Sequence, residues 1–415
     1  MLSIDFIRNN KEKVILASEN KNRQVDLDQI IALDDQRRLW LQQIQRLREE
    51  RNRIAKDHDK GKRDRGREIK TELAILESNL RSAEEKLNIL LSQVPNIPLD
   101  EVPVGSDDSG NVEIKKWGEI PKFNFTPRSH IEIGEKLDII DTTRGVKVSG
   151  FRGYFLKNEG AILQMALLMY VFQKLIGKGY TPIIAPSIVK GFTLYGSGQF
   201  PWGEGEVYQL NDNDAYLAGT AEVPVTALFS GEILDIKALP KKMVAFSPCF
   251  RREAGSYGKD TKGIYRLHEF WKIEQVIISE AQLGEAKKFH QELQQNTEDI
   301  WQELELPYRV VMMCTGDMGE PQILKFDTEV WMPSRQNYGE VASNSIMGDF
   351  QARRLNLRYR DFDGQMKFCY TLNNTAIATP RALVAILENN QQKDGSVAIP
   401  KVLQPLAGFD KIEPK

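Results

Sequence analysis

Two long stripes of apolar residues dominate the first quarter of the chain. Ile30, Leu33, Trp40, Ile44, Leu47 and Ile54 fall at alternating steps of three and four, with Arg37 and Arg51 filling two gaps. Ile69, Leu73, Leu76, Leu80, Ala83, Leu87, Leu90 and Val94 repeat the pattern without interruption. Each is a heptad stripe. No proline lies between Asp26 and Val94, and the only glycines there are Gly61 and Gly66. The pattern predicts two helices of about 30 residues, each ~45 Å long, folded back over residues 57–66. Residues 27–94 therefore read as an antiparallel coiled-coil arm. An oligomerisation stalk or part of a bundle is the general alternative, but the two stripes together offer only one narrow seam. Residues 1–25 read as a helix over 3–17 and a linker.

Beyond residue 94 the period changes. Val94-Pro95-Asn96-Ile97-Pro98 forbids further helix. Residues 95–125, rich in Pro, Gly and Asp, read as linker, and a domain boundary is expected near residue 100. Later segments predict a helix-like stretch over 134–141, a strand within 147–156 and a long amphipathic helix over 158–178. A short strand follows, ending at Pro186. Tyr208 and Leu210 against Tyr216 and Leu217 suggest a hairpin. An amphipathic helix is expected over 283–303, then strands over 308–313 and 325–331 about the glycine-rich turn 316–319. The most particular stretch runs from 243 to 278. An apolar strand reaches Phe250; Arg251, Arg252 and Glu253 follow, then a glycine-punctuated basic loop, then a returning apolar strand from Ile264. Strand side chains alternate with period two, so Arg251 and Glu253 are expected to share one cleft. A planar guanidinium beside a carboxylate suits a polyphosphate and a hydrogen-bond donor such as an exocyclic amine. The fold class is α+β.

Composition narrows the function. At 415 residues there is room for two or three domains. The 41% hydrophobic and 27% charged fractions are those of an ordinary globular protein, and the net charge is −2. Nucleic acid would have to be met by a local basic patch. One exists: residues 56–67 carry Lys56, Lys60, Lys62, Arg63, Arg65 and Arg67 against Asp57, Asp59 and Asp64. A basic arm tip suits a phosphate backbone, a solvated turn being the equal alternative. Cys249, Cys314 and Cys369 are dispersed with no CxxC pair, which argues against disulfides and a thiolate zinc site and for a reducing cytoplasm. The first residues acquire Asp5 and Glu12 early and show no apolar run of signal-peptide length. No stretch approaches the ~18 apolar residues of a membrane span.

Phe250 to Glu274, FRREAGSYGKDTKGIYRLHEFWKIE, strongly resembles motif 2 of the class II aminoacyl-tRNA synthetases in the form found in seryl-tRNA synthetases. The helix–strand–proline order over 160–186 resembles motif 1, which in class II enzymes builds a dimer interface. Thr371 to Arg381 and the helix expected over 382–392 resemble motif 3. The resemblance implies an antiparallel catalytic sheet flanked by helices over 101–415, with motif 2 over 243–276 and motif 3 over 371–392. It also implies an N-terminal domain, 1–100, whose arm grips the long variable arm of tRNA(Ser) by shape. The implied partners are ATP, Mg²⁺, L-serine, tRNA(Ser) and a second copy of the chain; tRNA(Sec) stays open as a second acceptor. No zinc-ligand set is apparent, which argues against the zinc-dependent archaeal variety.

The resemblance assigns residues as follows. Arg251 bridges the α-phosphate and the attacking carboxylate, and Arg381 holds the γ-phosphate. Thr220, Ala221 and Glu222 contact serine, with Glu274 for its ammonium and Asn373 and Thr375 beside its side chain. Arg252, Glu253, Leu267, His268, Glu269 and Phe270 surround ATP, Phe270 stacking on adenine. Glu340, Val341, Ala342 and Ser343 complete that site, Glu340 and Ser343 as oxygen ligands for Mg²⁺. The serine carboxylate is ionised at neutral pH, so no strong base is required. That fits a chain with four histidines, His58, His130, His268 and His290, and no evident nucleophile partner for them.

The chain departs from the family at several points. Gly339 replaces a usual basic residue, Ala342 a usual serine and Asn344 a usual cysteine. Ala376, Ala378 and Pro380 stand where motif 3 has glycines. Altered packing is expected there rather than a lost metal. Two rival functions remain at this stage: a synthetase-like ligase charging a carrier protein, which would not need the arm, and a non-catalytic RNA-binding paralogue, which would not keep Arg251, Glu253, Glu274, Glu340 and Arg381.

Overall fold

A computed structural model describes residues 1–56, 63–211, 214–256, 258 and 260–414. The chain divides into two compact units, Met1–Ile97 and Pro98–Lys415.

In the first unit the heptad stripes become the helices Leu27–Lys56 and Arg63–Ser92, packed on each other. Ile44, Ile69 and Leu73 form the buried seam, with Leu47, Ile54, Leu76 and Leu80 against it. At the base, Ile7, Val14, Leu27, Ile30, Leu87, Leu91 and Val94 make a second core. The helix expected over 3–17 is two, Ile4–Asn9 and Lys11–Asn20, broken at Asn10. The gap at Arg37 has a structural cause. Asp34 is fully buried and accepts from Arg8 at 2.8 Å, Arg37 at 2.7 Å and Arg38 at 2.7 Å. A buried carboxylate paired this way is held ionised: burial opposes it, but hydrogen bonds from Arg37 and Arg8 keep its acid below the ordinary range.

The second unit is built on an eight-stranded sheet. Its order is Val112–Trp117, Tyr308–Met312, Leu324–Met332, Asn337–Gly348, Tyr370–Ala378, Glu269–Ser279, Lys241–Phe250 and Thr181–Ile184. All neighbours run antiparallel except the last pair, which is parallel. The helices Leu283–Glu303 and Asn158–Gly177 pack against the sheet. Asn344 is explained here. It is buried, and its Nδ2 donates to His290 O at 2.9 Å and Gln294 Oε1 at 3.2 Å, fastening the sheet to the 283–303 helix.

Several expectations fail for identifiable reasons. The linker 95–125 contains the edge strand Val112–Trp117, whose side chains are mostly exposed, so no buried alternation marks it. Of the strand expected over 147–156 only Phe155–Leu156 forms, while residues 147–149 close the helix Thr142–Ser149, capped by Asp141 and ended by Gly150 at φ 80°. The helix expected over 134–141 starts earlier, as His130–Lys136, on a capping box of Ser129 and Glu132. The helix Asn158–Gly177 is long and apolar enough to cross a bilayer by length and composition, contrary to the sequence reading. Leu163, Leu167, Val171 and Leu175 on it are fully buried in the core of this unit.

Candidate active site

The strands Lys241–Phe250 and Glu269–Ser279 pair as the expected hairpin, with Phe270 opposite Cys249 and Glu274 opposite Ala245. The returning strand starts at Glu269 rather than Ile264. The first strand ends at Phe250, so Arg251 and Glu253 lie beyond the ladder and do not share a face by alternation. They meet in one cleft because Glu253 takes a left-handed turn, φ 55°. Arg251, Glu253, Leu267, Phe270, Glu340, Val341, Ala342, Ser343, Thr375 and Arg381 all line that cleft.

Arg251 is set at its rim by Nε donating to Gly219 O at 3.2 Å, with its guanidinium 5.3 Å from the centre of the Phe270 ring. Arg381 sits in the first turn of the helix Thr379–Asn389, three residues earlier than the helix expected. Its Nη1 donates to Glu340 O at 2.6 Å and lies 3.4 Å from the Glu340 carboxylate. Burial pushes the Glu340 acid up, but Arg381, then Lys325 and Arg251, outweigh it and hold the acid below its ordinary value. Neighbouring Asp327 behaves oppositely. Burial raises its acid to about 7 against the pull of Lys325, 3.1 Å away.

Three cleft residues, Tyr265, Arg266 and Lys272, escaped the sequence reading. Arg266 pairs with Glu253 at 2.8 Å, so one oxygen of the expected adenine-amine acceptor is already engaged. Lys272 is 4% exposed and is the hub of a buried polar group. Its Nζ lies 2.5 Å from Glu274, 2.7 Å from Thr220 Oγ1 and 3.4 Å from Thr375 Oγ1. Thr375 donates to Glu274 at 3.1 Å. Asn373 and Gln351 donate to Glu222 Oε1 at 2.9 and 2.8 Å. Thus Thr220, Glu222, Glu274, Asn373 and Thr375 form one connected polar group, with buried Ala221 as the cap of the helix Glu222–Thr226. Two carboxylates face one lysine. Burial, then the nearby Glu274, raises the Glu222 acid to about 7. A signal for Lys272 existed: it shares parity with Phe270 and Glu274 on an otherwise apolar strand.

Other candidates lie elsewhere. His268 and Glu269 line a neighbouring recess with Phe151, Arg152 and Tyr208. His268 Nδ1 is 3.0 Å from Arg251 O. Arg252 is exposed, its backbone N–H donating to Glu206 O, and does not line the cleft. On the arm, Lys60 and Lys62 lie outside the described residues, and Lys56 and Arg63 end the two helices. Arg65 is tied across the arm to Glu50 at 2.9 Å and along its own helix to Glu72 at 2.9 Å. Arg67 is exposed, 3.5 Å from Asp64.

The positions of the replaced glycines explain their tolerance. Ala376, Ala378 and Pro380 all have negative φ, so none needs glycine's freedom. Pro380 fits the first helical turn, where its fixed φ is favoured.

Comparison with known proteins identifies the family. The seryl-tRNA synthetase N-terminal domain matches residues 1–98, and the tRNA synthetase class II core domain (G, H, P, S and T) matches residues 206–390. The serine–tRNA ligase of Deinococcus radiodurans is 45% identical, over 98% of each chain. The crystal structure of seryl-tRNA synthetase from Pyrococcus horikoshii complexed with ATP superposes with a TM-score of 0.92 at 41% identity, covering both chains fully. The cytoplasmic serine–tRNA ligase of Naegleria fowleri in complex with AMP gives 0.90 at 31% identity, over 100% of this chain and 99% of that one. With both its arm and its catalytic sheet accounted for, the chain belongs to the seryl-tRNA synthetases of class II.

Proposed function

We propose that the chain activates L-serine with ATP and transfers it to tRNA(Ser), with residues 1–97 as the tRNA-binding part and 98–415 as the catalytic part. The observation that carries the serine assignment is the buried group of two carboxylates, one lysine and two threonine hydroxyls beside the arginine-lined cleft. That group lacks one cation, and the ammonium of an amino acid supplies it. Its hydroxyls suit a substrate hydroxyl, and such a site rejects alanine because its buried polar groups would go unpaired.

In the first step a serine carboxylate oxygen attacks the α-phosphorus of ATP, and the bond to the bridging oxygen of pyrophosphate breaks. In the second, a terminal ribose hydroxyl of tRNA attacks the acyl carbon, and AMP leaves. Catalysis rests on positioning and on fixed charge at the phosphates. Arg251 holds the α-phosphate against the serine carboxylate, and Arg381 the terminal phosphate. Glu253 is the acceptor for the adenine amine, and Phe270 gives the base an aromatic face. Glu340, held ionised, and Ser343 fit Mg²⁺ as oxygen donors. Among the described residues no group of three or more His, Cys, Asp or Glu could hold a metal alone, so the remaining ligands would be phosphate oxygens and water. When bound, the ion neutralises phosphate charge.

A homodimer is supported by an apolar stripe of Ile162, Met165, Met169 and Ile176 on the outer face of the 158–177 helix, with Ile184 73% and Ile188 61% exposed nearby in sequence. A reducing, cytoplasmic setting is supported by three buried cysteines, none in a disulfide. tRNA(Sec) would be accepted through the same arm where it is present.

The test is amino-acid-dependent ATP–pyrophosphate exchange without tRNA, using serine, threonine, alanine and glycine. Exchange with serine alone is expected. Exchange with alanine or glycine would favour a carrier-protein ligase, and none with any of the four would refute the catalytic reading.

A further inference from the structure

Gly339 stands beside Glu340 where the family resemblance implies a basic residue, and the structure shows what occupies the space. A Cβ at position 339 would stand 2.6 Å from the Tyr265 hydroxyl and 3.2 Å from Tyr265 Cε2. No side chain fits there while Tyr265 keeps its place. Tyr265 is itself buried and lines the nucleotide cleft. It also carries two guanidiniums: Arg335 at 4.2 Å and Arg381 at 4.7 Å from its ring centre.

Two like charges gathered on one ring repel unless anions stand beside them. Each has one here. Arg381 lies 3.4 Å from Glu340, and Arg335 pairs with Asp260 at 2.8 Å. Asp260 belongs to the loop of the 241–279 hairpin and also lies 3.9 Å from Arg266, which holds Glu253. Arg335 ends the turn Pro333–Arg335 between two central strands, and its side chain is 39% exposed. A half-exposed ion pair of this kind is weak and exchanges partners readily. A terminal phosphate brings more charge and more acceptor oxygens than a single carboxylate, and suits a guanidinium fork better.

We infer that Arg335 supplies the cation missing at 339, leaving Asp260 for the terminal phosphates of ATP while Tyr265 keeps it alongside Arg381. The inference rests on the nucleotide site proposed above and adds a phosphate-binding residue to it. Arg335 and Gly339 are then one linked change, with Tyr265 filling the space between them.

Calorimetric binding of ATP and AMP to the full-length protein tests this, with Arg335→Ala and Asp260→Asn. Arg335→Ala should weaken ATP about tenfold or more, the loss of one charge-assisted contact, and leave AMP unchanged because AMP lacks the terminal phosphates. In serine-dependent pyrophosphate exchange it should raise KM for ATP and not KM for serine. Asp260→Asn should leave ATP affinity equal or tighter, since it releases Arg335. Equal weakening of ATP by both variants would make Arg335 only an anchor for the loop and overturn the inference. So would an Arg335→Ala protein that binds ATP normally, or that loses AMP as much as ATP. A wild-type protein that binds neither nucleotide would sink the nucleotide site itself, and the inference with it.

Discussion

Replacing Glu222 by Gln should stabilise the free protein, and by an amount that depends on pH. The Glu222 acid rises from an ordinary 4.5 to about 7, first through burial and then through Glu274. The folded chain therefore keeps this proton to higher pH than the unfolded chain does. The contribution of Glu222 to stability is complete below about pH 4.5 and is lost as pH rises to about 7. Beyond that it stays lost, because both states are then ionised. Integrated over the shift, and allowing for screening at its partly exposed edge, the wild type should lose about 2–3 kcal/mol between pH 5 and pH 8 from this one group. Glutamine has no such titration, and its Oε1 can accept the same bonds from Asn373 and Gln351. The gap between Glu222→Gln and wild type should therefore widen by roughly 5 °C in Tm on going from pH 5 to pH 8. Saturating serine should shrink that gap at pH 8, because its ammonium favours the ionised wild-type carboxylate and finds no such partner in the variant. Thermal unfolding of both proteins across that range, with and without serine, is the assay. A gap that is constant with pH, or a variant less stable than wild type at pH 8, would show that Glu222 ionises normally and that the site does not lack a cation.

Lys272→Met should leave Glu274, 2% exposed, without its cation and cost about 3–5 kcal/mol, read as a fall in denaturation midpoint. Adding Glu274→Gln should recover much of that loss, since the uncompensated charge is then gone. Arg381→Ala should raise KM for ATP in pyrophosphate exchange about tenfold to a hundredfold while the far-ultraviolet circular dichroism stays that of wild type. Replacing residues 27–94 by a short turn should spare serine-dependent exchange and abolish aminoacylation of tRNA(Ser); retained aminoacylation would remove the arm from the mechanism.

The arm was legible in the sequence because a coiled-coil seam repeats along one dimension. Ile44, Ile69 and Leu73 announce it by spacing alone, and the helices begin and end within a few residues of the pattern. Val112–Trp117 was not legible for the opposite reason. An exposed edge strand is held by its ladder to Tyr308–Met312 and by Trp117 stacking on Tyr308 at 5.7 Å, and neither leaves a mark in local hydropathy. The site divides the same way. Arg251 and Arg381 stand out by type and position. Lys272 is marked in the sequence only by its parity with Glu274, and becomes the hub when two further segments bring Thr220 and Thr375 to its ammonium. Arg251 and Glu253 share one cleft because a left-handed residue at 253 does what strand alternation was expected to do.

Departures from a family pattern carry meaning only once the backbone and the neighbours are known. The motif 3 glycines could be replaced because φ at 376, 378 and 380 is negative and the helix starts where proline is welcome. Asn344 could replace a cysteine because the 283–303 helix presents a carbonyl and an amide oxygen to its Nδ2. Gly339 differs from these. At Ala376 or Asn344 the new side chain finds its own place, whereas at Gly339 a side chain is missing and Tyr265 has taken the space. Arg335 stands on that same ring, which is why it is the cation proposed above for the terminal phosphates. Residues 265, 335 and 339 therefore have to be read as one unit, joined by a contact that crosses seventy positions of sequence. Substitutions at these positions should therefore not add when combined, which is the signature of coupling between touching residues.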